Sequence, residues 1–303
     1  MPWSDPYYRP GDNLYTDSLI SWDPDSGKMN WYRQYTPGDM WDYDEQGAHV
    51  LIDIGAGNEA RKVISHAGRN GFLYTMERAN GQSLMAKPYV PLVTWTAGID
   101  QKTGLPVDYD PRRDIQVYSG RQNQTVSDPV KRQCPWLGGG NNYWPPSYSP
   151  RTKTLYIPSD SSCSEVTLDQ ESIKQGIYFS QKYRISERRE SEIIAADPMT
   201  GDIKSKVHTI YPNVSGVLTT AGGLVFTGLT DGSVIAYDDT SLEPLWKINV
   251  GTGFNAPPMT FEAGGKQFVA ILSGVSLITK RTYVFHPDLR EMRNQTMLFV
   301  FGL

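Results

Sequence analysis

The sequence predicts an all-β fold of small sheets arranged as a β-propeller, on three observations. Short apolar or alternating runs recur along the whole chain, separated by turn-formers, and long helical periodicity is missing. The 303 residues include 28 Gly, 21 Pro, 18 Tyr and 8 Trp, a composition suited to tight turns with aromatic packing between sheets. One unit also repeats: an apolar strand, an Asp, a turn with Gly, then a Trp.

The elements follow in order. Leu19 to Trp31 is the fullest copy of the repeat, with Asp23, Gly27 and Trp31 in the marked positions. Val50 to Ile54 alternates, and Gly71 to Met76 opens a degenerate copy ending at Gly81. Leu155 to Pro158 is a continuous apolar run, whereas Leu168 to Glu192 is more polar and reads as an insertion carrying a loop with a helical turn. Ile193 to Asp202 is a copy without the Trp; Leu224 to Thr227 is a strand; Ser233 to Tyr237 leads a copy that closes on Trp246. Phe268 to Leu272 and Met297 to Phe301 complete the series. Each copy reads as a hairpin whose turn needs Gly or Asn, with the Trp as a wedge between neighbouring sheets. Repeats of this size argue for propeller blades, and their Trp and Gly positions are read as packing.

The bulk properties narrow the function. A net charge of -4 gives no reason to expect nucleic acid or an anionic membrane as partner. No apolar run approaches the roughly 18 residues that span a bilayer, and Met1 to Pro6 has no signal-peptide pattern. Cys134 and Cys163 are either free core thiols or one disulfide.

The densest chemistry lies in Trp41-Asp42-Tyr43-Asp44. In an extended strand Asp42 and Asp44 would share a face, and two such carboxylates repel unless a cation sits between them or one holds a proton. Hard oxygen ligands of this kind suit a large, hard cation. The plain alternative is a polar turn with two solvated aspartates.

Ordered motifs then carry a resemblance. They are Arg9 to Asn13, Thr36 to Tyr43, Gly68 to Tyr74, Thr94 to Asp100, Trp144 to Pro150 and Val214 to Phe226, together with the Trp-Asp, Thr-Gly and Trp repeat. The chain resembles the pyrroloquinoline-quinone (PQQ) dependent methanol and ethanol dehydrogenases from about Met1 to Ser273, with a weaker tail. The resemblance implies an eight-bladed propeller with PQQ and a metal near its axis. It also implies that residues 1–303 form one partial domain, the second half, since family members are about twice as long. The family's metal-binding glutamate and asparagine, the tryptophan beneath the quinone and the vicinal disulfide come from the first half, so a truncated frame or a fragment is expected.

Residue by residue, the resemblance makes Asp42 the catalytic base and a metal ligand. Asp44 matches an aspartate that adds a ligand in lanthanide-dependent members; the alternative is Ca2+ with a solvated Asp44. Arg69 matches the arginine that hydrogen-bonds the quinone carbonyls, against an exposed arginine in a turn. Asn142, Asn141 and Trp144 fall where an asparagine-tryptophan pair touches the quinone edge, with Asn142 favoured because Tyr143 interrupts the register. Phe254 and Asn255 resemble the last cofactor-facing loop, with structural packing at least as strong a reading. Cys134 and Cys163 fall where the family has a second disulfide, which implies a bond and a periplasmic setting. His49, His66, His208 and His286 do not cluster in sequence and are read as structural. Asn123, Asn213 and Asn294 open glycan-acceptor patterns that carry little weight in a bacterial-looking protein.

The expected activity is oxidation of a small primary alcohol to the aldehyde, with electrons passed to a c-type cytochrome. The rivals are a non-catalytic propeller scaffold and an inactive fragment. Open blades would expose sheet edges, which invites aggregation or pairing into a homodimer.

Overall fold

The computed structural model describes residues 9–55, 57, 60–118, 131–168, 181–186, 191–276, 283, 285–293 and 295–302. The fold is all-β, with antiparallel sheets of the β-propeller blade type. The chain divides into two compact units. One comprises Met1–Asn142, Ser161–Glu187 and Met199–Gly201; the other comprises Tyr143–Asp160, Arg188–Pro198 and Asp202–Leu303.

The first unit opens with the hairpin β1 (Ser18–Trp22) and β2 (Met29–Gln34). Asp23 forms its turn, with Oδ1 accepting from the backbone N–H groups of Asp25 and Ser26. A four-stranded meander follows: β3 (Val50–Ile54), β4 (Arg61–Ala67), β5 (Phe72–Glu77) and β6 (Ser83–Pro88). The last five residues of β4 and the first five of β5 are buried, so these central strands carry apolar side chains on both faces. Trp31 lies against the turn joining β5 and β6: a side chain on Gly81 would come within 2.6 Å of its ring. This is the wedge that the repeat predicts. The core gathers Tyr35, Met40, Trp41, Tyr43, Trp95 and Tyr118 around Ile64, Phe72 and Tyr74.

The third sheet of this unit orders β11 (Gln181–Ile185), β10 (Ser164–Leu168) and β7 (Lys131–Gln133). Within the polar stretch from Leu168 to Glu192, Gln181–Ile185 is a strand that pairs with β10 along its whole length, and the loop with a helical turn expected there falls on residues outside the described ones. Residues 169–180 and 187–190 lie outside the described residues. Cys134 and Cys163 are joined in a disulfide beside this sheet.

The second unit holds two four-stranded sheets and one of three strands. The first is β8 (Ser147–Ser149), β9 (Thr154–Asp160), β12 (Ser191–Ala196) and β13 (Ile203–Thr209), in the order β13-β12-β9-β8. The next is β14 (Val217–Thr219), β15 (Leu224–Gly228), β16 (Ser233–Asp238) and β17 (Pro244–Asn249). The last is β18 (Met259–Ala263), β19 (Lys266–Leu272) and β20 (Leu298–Gly302). Every apolar run marked in the sequence is one of these strands. Trp246 meets Phe301 edge-on, with ring centroids 5.3 Å apart, so this second wedge also packs between sheets.

Candidate active site

The segment from Asp39 to Glu45 is a loop beyond β2, so the shared strand face considered for Asp42 and Asp44 does not apply. Asp39 shapes it. Its Oδ1 accepts from the Trp41 N–H (2.9 Å) and its Oδ2 from the Tyr43 N–H (3.0 Å), and burial raises its pKa to about 6. Trp41 and Tyr43 point into the core, where Gln133 Nε2 donates to the Trp41 carbonyl and the Tyr43 hydroxyl donates to that of Pro135. Two buried aromatics flanking Asp42 leave it the outward position, reached with φ of +68°, a conformation that costs a non-glycine residue of order 1 kcal/mol.

Arg69 approaches from the turn between β4 and β5. Its guanidinium lies 3.2 Å from Asp42 Oδ2 through Nη2, and 3.6 Å from Asp44 Oδ2 through Nη1. Arg69 is 4% exposed and Asp42 13%, while Asp44 is 42% exposed. The structure therefore brings Asp42, Asp44 and Arg69 together. Burial pushes the Asp42 carboxyl up to about 8, the nearby Arg69 opposing the shift and the hydrogen-bonded Asp44 adding to it.

Arg69 is gripped on several sides. Its N–H donates to Glu45 Oε2 (3.0 Å), its carbonyl accepts from the Gly140 N–H (3.0 Å), and Nη2 donates to the Leu137 carbonyl. Gly139 has φ of +80°, and a side chain there would lie 2.6 Å from Arg69 Cα. Gly139 is bare because the backbone passes directly over Arg69, whereas Gly138 and Gly140 lie against Trp136 and Tyr89.

Asn142 is buried in the same unit, donating to the Gly138 carbonyl (2.8 Å) and accepting from Gln46 Nε2 (2.8 Å). Asn141 is also buried, its backbone bonded to the Tyr89 hydroxyl. Trp144, Phe254 and Asn255 belong to the second unit. Trp144 is buried with Tyr143 edge-on to it, and Tyr143 donates its hydroxyl to Asn255 Oδ1 (2.7 Å). Phe254 packs with Val234 and Ile271, a core position that favours the packing reading.

Four residues of this neighbourhood have no role in the sequence reading: Asp39, Glu45 and the pair His49 and His66. His49 and His66 were read as separate structural residues, yet their rings stack 3.9 Å apart and 5° from parallel. The register explains this, since Val50 pairs with Ser65 and His49 and His66 stand one step beyond. His66 Nε2 lies 2.6 Å from Glu45 Oε2, and His49 Nε2 lies 2.9 Å from the Tyr35 hydroxyl. Glu45 directly follows Asp44, and that adjacency was the available signal. His208 lies instead by Glu192, at 3.1 Å, near the surface. Asn123 and Asn294 lie outside the described residues.

Comparison with known proteins identifies the family and the fold. The family model of the PQQ glucose/ethanol/alcohol dehydrogenase β-propeller domain matches residues 6–92 and 187–269. A quinoprotein ethanol dehydrogenase of Pseudomonas putida is 35% identical over 268 residues, covering 87% of this chain and 42% of its own length. The crystal structure of quinohemoprotein alcohol dehydrogenase from Comamonas testosteroni has a TM-score of 0.79 at 28% identity, covering 96% of this chain and 43% of that one. A europium-containing methanol dehydrogenase also gives 0.79, at 26% identity, covering 96% of this chain and 54% of that one. The chain spans less than half the length of the curated relatives it matches.

Proposed function

We infer the function of this chain from its family: it belongs to the PQQ glucose/ethanol/alcohol dehydrogenase β-propeller family. It carries the base, metal-ligand and arginine side of a PQQ-dependent alcohol dehydrogenase site, with residues 1–303 as one part of a single propeller domain. The substrate is a small primary alcohol of the methanol or ethanol class, oxidised to the aldehyde. A c-type cytochrome takes the electrons, in the periplasm.

What supports the reading is the cluster of Asp42, Asp44 and Arg69. Asp42 is nearly buried with Asp44 close by and Arg69 beside both, so two carboxylates converge on one point of the loop. Two hard carboxylate oxygens so placed suit a hard cation. Arg69 Nε has no partner among the described residues, leaving a donor for a carbonyl-rich ligand. The donor set fits both groups. Asp42 and Asp44 would hold the ion, a lanthanide in preference to Ca2+ because two carboxylates offset a third positive charge. Arg69, with Asn142, would hold the quinone edge. When bound, PQQ supplies the two-electron acceptor and the ion supplies Lewis acidity.

The chain's own residues then have separate tasks. Asp42 removes the hydroxyl proton of the alcohol, which its nearly buried carboxyl can accept once it is ionised. Arg69 offers a fixed planar cation to negative charge developing on the acceptor. Asp39 holds Asp42 in its left-handed conformation through the two loop N–H groups. The test is ethanol oxidation by the purified chain loaded with PQQ and lanthanum, with a dye as acceptor. Turnover that is lost in Asp42→Asn supports the reading; turnover that survives Asp42→Asn refutes the role of Asp42.

A further inference from the structure

We propose that Glu45, paired with His66, is a positioning residue that fixes Arg69 for its cofactor partner; this rests on the reading of Arg69 given above. The Glu45 side chain is 1% exposed and that of His66 0%, so this carboxylate is spent inside the protein. A buried carboxylate is costly unless it is hydrogen-bonded, and its Oε2 does two jobs. It accepts from the Arg69 N–H at 3.0 Å and lies 2.6 Å from His66 Nε2. Behind His66, the stacked His49 ring and the Tyr35 hydroxyl close the space.

The placement gives Glu45 its leverage. It follows Asp44 directly, so one short loop carries both carboxylates that flank the guanidinium and the anchor of the arginine backbone. Glu45 Oε1 has no hydrogen-bond partner among the described residues, but it is confined: a side chain on Gly68 would come within 2.7 Å of it. Gly68 is thus kept bare where the Glu45 carboxylate meets the turn. Anchoring from Glu45 on one side and from Gly139 and Gly140 on the other leaves the Arg69 backbone little freedom. The guanidinium direction follows from that backbone.

The test measures PQQ affinity by absorbance titration of the purified chain in four variants. Glu45→Ala should weaken binding about tenfold, the worth of one charge-assisted hydrogen bond. In an Arg69→Ala background the same change should cost less than about twofold, since Glu45 acts through Arg69. Glu45→Gln, whose amide oxygen can take the Oε2 position, should stay within about threefold of the parent. Equal losses in both backgrounds, or no loss in Glu45→Ala, would overturn the proposal.

A second readout needs no cofactor. Amide exchange at Arg69 should accelerate at least about tenfold in Glu45→Ala and stay near the parent rate in Glu45→Gln. Unchanged exchange in Glu45→Ala overturns the anchoring claim. If the parent chain does not bind PQQ, the functional reading fails while the exchange experiment still decides the role of Glu45.

Discussion

Protonation of His49 gives the sharpest stability prediction. Burial, reinforced by the His66 ring stacked upon it, lowers its pKa from 6.5 to about 2. The folded chain therefore keeps His49 neutral across the mildly acid range, whereas the unfolded chain protonates it below pH 6.5. Where the unfolded state binds more protons, stability rises with pH, so this contribution is whole above about pH 6.5 and erodes as the pH falls. One pKa unit corresponds to about 1.4 kcal/mol, so lowering the pH from 7.5 to 5 should remove about 2 kcal/mol through this residue alone. His49→Gln keeps a polar partner for the Tyr35 hydroxyl and deletes the titration. Urea unfolding followed by tryptophan fluorescence reports mainly on the first unit, which holds six of the eight tryptophans. The variant should lose about 2 kcal/mol less than the parent over that interval. Parallel stability curves for parent and variant would refute the claim that His49 is held neutral.

Other consequences follow from packing. Trp31→Ala removes the wedge over Gly81 and should cost about 2 kcal/mol, less than a full core deletion because Trp31 is only partly buried; urea midpoints check it. Gly139→Ala adds a methyl 2.6 Å from Arg69 Cα at a left-handed position. It should destabilise by about 1–3 kcal/mol and weaken PQQ binding at least about tenfold, whereas Gly57→Ala, in open space, should leave binding unchanged.

Much of the fold was legible because buried strands must be apolar. β9, β12 and β16 show this directly, being buried along nearly their whole length. Outer strands were harder to see. β17 is exposed throughout and β13 is mostly polar, so hydrogen bonding to a neighbour defines them more than hydrophobic period does. The same holds for β11, which lies within the stretch that reads as a polar insertion.

At the site, the spacing of Asp42 and Asp44 raised the right question for the wrong local geometry. A left-handed Asp42 in a loop, not a strand face, brings both carboxylates to Arg69. No local pattern joins Arg69 to Asp42; the resemblance supplied that link, and the turn between β4 and β5 realises it. Glu45, His66 and His49 were invisible for the complementary reason. Their association depends on the β3–β4 register and on a loop that doubles back, neither of which has a sequence period.

The most direct test of the central claim is titration of the purified chain with PQQ, followed by quinone absorbance, first with Ca2+ and then with lanthanum. A site built on Asp42, Asp44 and Arg69 should give saturable binding with lanthanum, abolished in Asp44→Ala. No saturable binding with either ion would contradict the claim that these residues hold the cofactor and metal.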